Sequence, residues 1–160
     1  MPGGAGRVHI GRTMILPQTA EYALRAMACL AALPPGQGMR AVDLSVQASV
    51  PAAYLSKILR RLVLGGLLVS RKGHHGGFAL ARPPRRIRFA EVLAAADAGP
   101  HVGRCAFGWE QCDPEAPCPL HPAWSKLQTS FGEWAQSTTL ADVDINNLDF
   151  SIARARDAAG

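Results

Sequence analysis

Apolar residues recur at helical spacing over residues 19–33, where Ala20, Ala23, Leu24, Met27, Leu30 and Ala31 fall on one side. Thr19 is a candidate cap for this first helix, and Pro34 stops it. A PPGQG turn follows, then a short helix over residues 41–48, a tight turn at Ser49 and Val50, and Pro51 where a second short helix can begin. In that helix Leu55, Ile58, Leu59, Leu62 and Val63 form one stripe, while Lys57, Arg60 and Arg61 lie together on the opposite side. Two short helices about a tight turn, the second with a basic outer face, have the shape of a helix-turn-helix reader, and equally that of a solvated amphipathic helix. The next residues break the tie. Gly65-Gly66 ends the helix, residues 67–71 read as a strand, residues 72–75 turn, and residues 76–80 read as a returning strand. A helix-turn-helix followed at once by a basic-tipped hairpin is a winged helix.

Further along, Phe89, Val92, Leu93 and Ala96 mark a fourth helix running to Asp97, stopped by Gly99-Pro100. Trp124, Leu127, Phe131, Trp134 and Thr138 then fall at intervals of three, four, three and four, the spacing of a seam between helices. Large aromatics on a seam after the core is already furnished favour a partner chain over a helix folded back on its own domain. A homodimer would also present two readers to a two-fold site. The expected fold is mainly α with a small β-wing: a winged helix-turn-helix domain plus a long C-terminal dimerisation helix. Its parts are a disordered leader at 1–13, the winged helix-turn-helix at 14–98, a cysteine-rich loop at 99–121, the dimerisation helix at 122–143 and a flexible tail at 144–160.

Composition narrows the function. The net charge is +5, from 17 Lys and Arg against 12 Asp and Glu, which suits a polyanionic partner such as double-stranded DNA. No apolar run is long enough to cross a bilayer, and the glycine-rich start lacks the apolar middle of a signal peptide; Met14 is a candidate natural start. A cytoplasmic location follows, and there thiols stay reduced, so clustered cysteines point to metal or redox sensing rather than disulfides. There is no phosphate-binding glycine loop and no His and carboxylate set at catalytic spacing, so the chain does not read as an enzyme.

The clustered cysteines lie in CAFGWEQCDPEAPCPLH, which holds Cys105, Cys112, Cys118 and His121. Its prolines exclude regular helix and leave a surface loop that exposes its thiols. Cys29, alone among Ala and Leu in the first helix, reads as core filler and stays outside the site. His74 and His75 read as wing-tip residues rather than a metal pair, because adjacent residues on a turn diverge.

From Met14 to about Val143 the chain resembles the Rrf2 family of bacterial winged-helix regulators, the group that includes IscR and NsrR. The resemblance rests on Met14-Ile15-Leu16 leading into Glu21-Tyr22-Ala23-Leu24, Tyr54-Leu55 and Leu59-Arg60-Arg61-Leu62, and Gly65-Gly66-Leu67-Leu68-Val69. It continues in Arg71-Lys72-Gly73, Gly76-Gly77-Phe78-Ala79-Leu80, the three cysteines and Thr139-Leu140-Ala141-Asp142-Val143. It implies a homodimer whose long helix crosses its mate, and an iron-sulfur cluster, 2Fe-2S or 4Fe-4S, held by Cys105, Cys112 and Cys118. The fourth ligand it implies is His121, or Glu21 from the first helix of the other subunit. Cys105 and Cys112 stand one residue further apart than is usual in the named branches, which bears on the cluster type.

The chemistry of the donors is compatible with this. Thiolates suit iron-sulfur clusters and zinc alike, but structural zinc commonly uses close CxxC pairs, whereas three widely spaced thiolates suit a cluster several ångströms across. The competing reading is a structural zinc or thiol-switch loop used for protein interaction or redox sensing. On the DNA side, Lys57, Arg60, Arg61, Arg71 and Lys72 are expected to anchor phosphates, while Ala53, Tyr54 and Ser56 stand where base edges are met.

Overall fold

Helix α1 (Gln18–Ala31) is buried on most of its circumference, with Ala20, Ala23, Ala26, Met27 and Leu30 at 2% exposure or less. The computed structural model describes residues 16–74, 76–99, 104–110, 113 and 115–143. The expected leader at 1–13 and tail at 144–160 lie outside the described residues. Small alanine side chains let neighbouring elements approach closely, and α1 packs against α2 (Ala41–Gln47), α3 (Ala52–Leu64), α4 (Phe89–Ala95) and the wing. The helix starts one residue before Thr19, and Thr19 does not cap it. Pro17, extended at φ −63° and ψ 151°, takes the cap position, and its carbonyl accepts the N–H groups of Ala20 and Glu21 at 2.8 and 3.2 Å. It ends at Ala31, two residues short of the expected limit, in line with the bias of a residue preceding proline, here Leu33 before Pro34, against the helical region.

The α2–turn–α3 unit forms as the pattern predicts. Ser49 adopts φ 52° in the turn, and the Ser45 hydroxyl donates to the Val50 carbonyl at 2.7 Å, closing it. The α3 stripe is buried, with Leu55, Ile58, Leu59 and Leu62 all at 3% or less. Burying four such side chains favours this orientation of α3 by several kcal/mol in total, at about 1.5–3 kcal/mol each. Gly65 ends α3 beneath α4: a Cβ there would stand 2.7 Å from the Ala95 Cβ, so a side chain would push the two helices apart.

The wing is an antiparallel pair, β1 (Leu68–Arg71) with β2 (Gly77–Leu80), in register from Leu68 opposite Leu80 to Arg71 opposite Gly77. Met39 adds a one-residue third edge, donating its N–H to the Phe78 carbonyl at 2.9 Å and accepting the Phe78 N–H at 2.8 Å. A single-residue bridge has no period, so the hydrophobic pattern could not announce it. Gly77 is required at that crossing. Its φ is +122°, and a Cβ would meet the Met39 carbonyl oxygen at 2.4 Å.

A short 3-10 turn (Pro84–Arg86) leads into α4, which ends at Ala95 rather than Asp97; Asp97 has already turned to φ 53°. The long helix α5 (His121–Ser137) begins with Pro122 in its first turn and buries only Ala135 fully. Beyond it Thr138, Thr139 and Leu140 run antiparallel to residues 87–89: the Phe89 N–H donates to the Thr138 carbonyl at 2.9 Å and the Leu140 N–H to the Ile87 carbonyl at 3.0 Å. Part of the aromatic seam therefore packs within the chain. The Trp134 ring meets Phe89 edge-on at 5.5 Å and Phe131 at 5.3 Å. Of the other seam residues, Leu127 is open at 57% exposure, while Trp124 and Thr138 are half-buried. The architecture is a mainly helical winged helix-turn-helix with a small two-stranded antiparallel sheet and a long helix following the wing domain.

Candidate nucleic-acid interface and cysteine loop

Burial of the α3 stripe turns Ala53, Tyr54, Ser56, Lys57, Arg60 and Arg61 outward. Lys57 and Arg60 have no hydrogen-bond or ion-pair partner among the described residues, so their charges are available to an outside anion. The Ser56 hydroxyl donates to the Ala52 carbonyl at 3.0 Å, one turn back, and keeps its lone pairs outward. Tyr54 is 57% exposed while its ring edge rests on Tyr22 at 6.1 Å. Arg25 lies over the other ring of this pair, 5.6 Å from the Tyr22 centroid, and pairs with Glu21 at 3.7 Å. The first turns of α1 thus support the start of α3.

Two of the expected phosphate anchors have structural partners. Arg61 donates to the Ala96 carbonyl at 3.0 Å, tying the end of α3 to the end of α4. Arg71 donates to the Gly36 carbonyl at 2.7 Å, tying the wing to the turn after α1. Neither bond joins residues near in sequence, so no local pattern could reveal it. Lys72 is exposed at the wing tip without a described partner, beside His74; His75 lies outside the described residues. Arg40, which the sequence reading did not single out, stands at the start of α2 and holds Asp43 at 2.8 Å; that carboxylate raises the Arg40 pKa further, through its hydrogen bond first and its charge second. An open recess of about 550 Å³ runs between this pair and the wing, lined in part by Arg40, Arg71 and His74.

The cysteine loop departs from the expectation of exposed thiols. Cys105 is 5% exposed, because residues 104–110 fold around it: its N–H donates to the Trp109 carbonyl at 2.9 Å, and its carbonyl accepts the Gly108 N–H at 2.9 Å. The Phe107 N–H donates to the Cys105 sulfur at 3.4 Å. Cys118 is half-buried, and Cys112 lies outside the described residues. His121 is the first residue of α5 rather than part of the loop; its N–H donates to the Cys118 carbonyl at 3.0 Å, which fixes the two side by side. Its Nδ1 is buried with no hydrogen-bond partner among the described residues, a costly state for a ring nitrogen that coordination would relieve. Cys29 sits in the core at 1% exposure, where burial pushes its thiol up to about 11 against a smaller opposing backbone hydrogen bond.

Sulfur donors plus an unpartnered imidazole nitrogen are the chemistry an iron-sulfur cluster or a zinc ion takes. Among the described residues no three His, Cys, Asp or Glu side chains gather closely enough to hold a metal. Cys105, Cys118 and His121 thus supply suitable donors without forming a set by themselves. Glu21 is engaged with Arg25 on α1. The loop is anchored to α5 instead through its backbone: the Arg104 carbonyl accepts Trp124 Nε1 at 2.8 Å and Gln128 Nε2 at 3.1 Å, from successive turns of the helix.

Comparison with known proteins places this geometry. Residues 16–144 match the model of the Rrf2 family, described as iron-dependent transcriptional regulators. A chain of Mycobacterium tuberculosis named as an HTH-type transcriptional regulator is 34% identical over 145 residues, covering 90% of this chain and 89% of that one. The HTH-type transcriptional regulator IscR of Xenorhabdus nematophila is 29% identical over 145 residues, covering 91% and 88%. Among solved structures, CymR, the global cysteine regulator of B. subtilis, superposes with a TM-score of 0.67 at 19% identity, covering 79% of this chain and 92% of that one. T. potens IscR superposes at 0.61 with 21% identity, covering 89% and 88%. These structural likenesses establish the winged-helix fold.

Proposed function

This chain belongs to the Rrf2 family of transcriptional regulators, and on that footing we propose that it is a homodimeric DNA-binding regulator whose operator affinity is set by an iron-sulfur cluster on the loop before α5. The observation that carries the reading is the junction at the start of α5. There a buried imidazole nitrogen lacks a partner among the described residues beside Cys118, and the residue preceding Cys105 is held by two side chains of α5. Cys105, Cys112 and Cys118 would hold the cluster with His121, or Glu21 of a second subunit, as the remaining ligand. The cluster would supply a redox-active, exchangeable centre on four ligands of unequal strength.

The protein's own residues then do the coupling. Trp124 and Gln128 transmit any shift of residue 104 to α5, whose exposed Leu127 faces the place a second copy would occupy. A change in the crossing of two such helices alters the separation of two α3 helices. Lys57, Arg60 and Lys72 contribute sequence-independent phosphate contacts, and Tyr54 and Ser56 present groups to base edges. A hundredfold change in operator affinity requires only about 2.7 kcal/mol of differential coupling.

A second reading, a thiol switch without cluster, is favoured by the half-buried free thiol of Cys118 and by the fold shared with CymR. Anaerobically purified protein separates the two. The cluster reading expects iron and acid-labile sulfide in equal number, visible absorbance, and operator binding that changes at least tenfold when the chromophore is lost. Zinc or no metal, no sulfide, and identical binding by wild type and by the triple variant Cys105→Ala, Cys112→Ala, Cys118→Ala would sink it.

A further inference from the structure

Four arginines crowd into residues 82–88, and neither the reading helix nor the wing tip uses them. Arg82, Arg85, Arg86 and Arg88, with Glu91 and Gln136, line an open cavity of about 530 Å³. Among the described residues one carboxylate answers four guanidinium groups. Glu91 engages Arg82 at 2.8 Å through one oxygen and accepts the Arg88 N–H at 2.9 Å through the other, and Arg82 also donates to the Arg86 carbonyl at 3.2 Å. The exposed guanidinium groups of Arg85 and Arg86 have no partner among the described residues.

The backbone beneath these residues is fixed. Pro83 and Pro84 restrict it, the 3-10 turn follows, and the antiparallel pairing of residues 87–89 with 138–140 pins it to the end of α5. A pre-ordered set of charges loses little entropy when a ligand arrives. The location also separates the cluster from the operator face. The wing ladder runs from Arg71 opposite Gly77 near the tip to Leu68 opposite Leu80 at the base, roughly 10 Å apart at about 3.4 Å per residue, and Arg82 follows the base end.

We propose that this junction is a binding site for a compact polyanion bearing at least two oxyanion groups, of the di- or triphosphate or tricarboxylate kind. Guanidinium forks match phosphate and carboxylate oxygens in pairs, and the cavity volume is that of a small ligand. Among the described residues no aromatic side chain lines it, so nothing there would stack on a nucleobase, and the Gln136 amide from α5 completes a lining made of charged and amide side chains. The site takes ligand contacts from both the connector and α5.

The test is calorimetric titration of the full-length protein with pyrophosphate, tripolyphosphate and citrate at about 150 mM salt, a screening length of about 8 Å. Saturable binding to at least one of the three is expected, weakened tenfold or more by Arg85→Ala with Arg86→Ala, and partly by the two Arg→Lys changes, which keep the charge but lose the fork. Because neither side chain has a partner, melting temperature should hold in these variants. The pair Lys57→Ala, Arg60→Ala on α3 should leave polyanion binding intact. Three results would overturn the proposal: no saturable binding, equal loss in the α3 pair, or weakened binding of a long operator duplex by the Arg85 and Arg86 variants with polyanion binding unchanged. The last would make the cluster a contact for flanking duplex phosphates.

Discussion

Replacing Arg61 and Arg60 one at a time separates two roles that adjacent arginines on one helix are easily assumed to share. Arg61 donates to the Ala96 carbonyl at 3.0 Å, where α4 has just ended and its last carbonyls lack helical partners. Hydrogen bonds with one charged partner contribute about 1.5–3 kcal/mol net; this one is only partly buried, so about 1–2 kcal/mol is appropriate. Arg61→Met keeps the aliphatic stem and removes the fork. For a chain of 160 residues that loss lowers the melting temperature by about 2–8 °C. Arg60→Met removes a side chain without a described partner and should change stability by less than about 0.5 kcal/mol. Operator binding should divide the other way. Loss of one phosphate contact flattens the slope of log K against log salt by about 0.9 per reading helix, so Arg60→Met shifts it while Arg61→Met leaves it close to wild type. Thermal melts beside fluorescence-anisotropy titrations at several salt concentrations measure both quantities. If Arg61→Met proves as stable as wild type and flattens the salt slope, the assignment of that guanidinium to α4 is wrong.

Gly77→Ala should lose about 2–4 kcal/mol in urea unfolding, since its Cβ would overlap the Met39 carbonyl, whereas Gly36→Ala, at φ +78° with open space around it, should lose only about 1–2. Cys29, buried and with its thiol pushed up to about 11, should resist alkylation at pH 8 until the chain unfolds, while Cys118 in metal-free protein reacts before it; mass mapping of a time course would show the order. The Glu91 carboxyl is held below its ordinary range chiefly by the Arg88 N–H, with Arg82 helping and burial opposing. A depressed carboxyl stabilises the fold above its unfolded value near 4.5 and loses that contribution as pH falls through the folded value. Melts of wild type and Glu91→Gln should therefore differ by no more than about 1 kcal/mol at pH 7, given the exposure of the pair, and converge in acid. A gap that widens below pH 4 would contradict the linkage.

What the sequence disclosed and what it withheld follow one physical line. Elements written in a local period were legible: the α3 stripe, the hairpin and the seam residues of α5 each repeat a spacing that only one backbone geometry converts into a face. The turn before Pro51 and the stop at Gly65-Gly66 were legible because proline and paired glycines punctuate the helical pattern, and Gly66 takes φ +71°. Interactions closing over thirty or more residues were not. Arg61 with Ala96 and Arg71 with Gly36 both span 35 positions, and both give an expected phosphate anchor a structural contact as well. The burial of Cys105 was hidden for a different reason. Proline and glycine content correctly argued against helix, but a non-helical segment can still wrap a thiol when it turns back on itself, as here, where the Gly108 N–H donates to the Cys105 carbonyl and the Phe107 N–H to the Cys105 sulfur. Cys112 lies outside the described residues, so the arrangement of the full donor set rests on the resemblance.

Helix α5 is attached unevenly, and that unevenness bears on how a signal would travel. At its C-terminal end Ala135 is buried, Trp134 and Phe131 stack toward Phe89, and the residues beyond it pair with 87–89. At its N-terminal end the described attachments are polar: two side-chain hydrogen bonds to one carbonyl, and the backbone bond from His121 to Cys118. Apolar packing at one end contributes several kcal/mol, while polar bonds in partly solvated surroundings contribute about 1 kcal/mol each. The N-terminal half of α5 is therefore the end that yields. A perturbation of the cysteine loop that broke both bonds to Arg104 would release about 2 kcal/mol of restraint, close to the 2.7 kcal/mol that a hundredfold change in DNA affinity requires. Trp124→Phe, which keeps an aromatic ring and removes the indole N–H donor, should then shift the response of DNA binding to the state of the loop while leaving affinity in the unperturbed state nearly unchanged. Equal affinity changes in both states would place the coupling elsewhere.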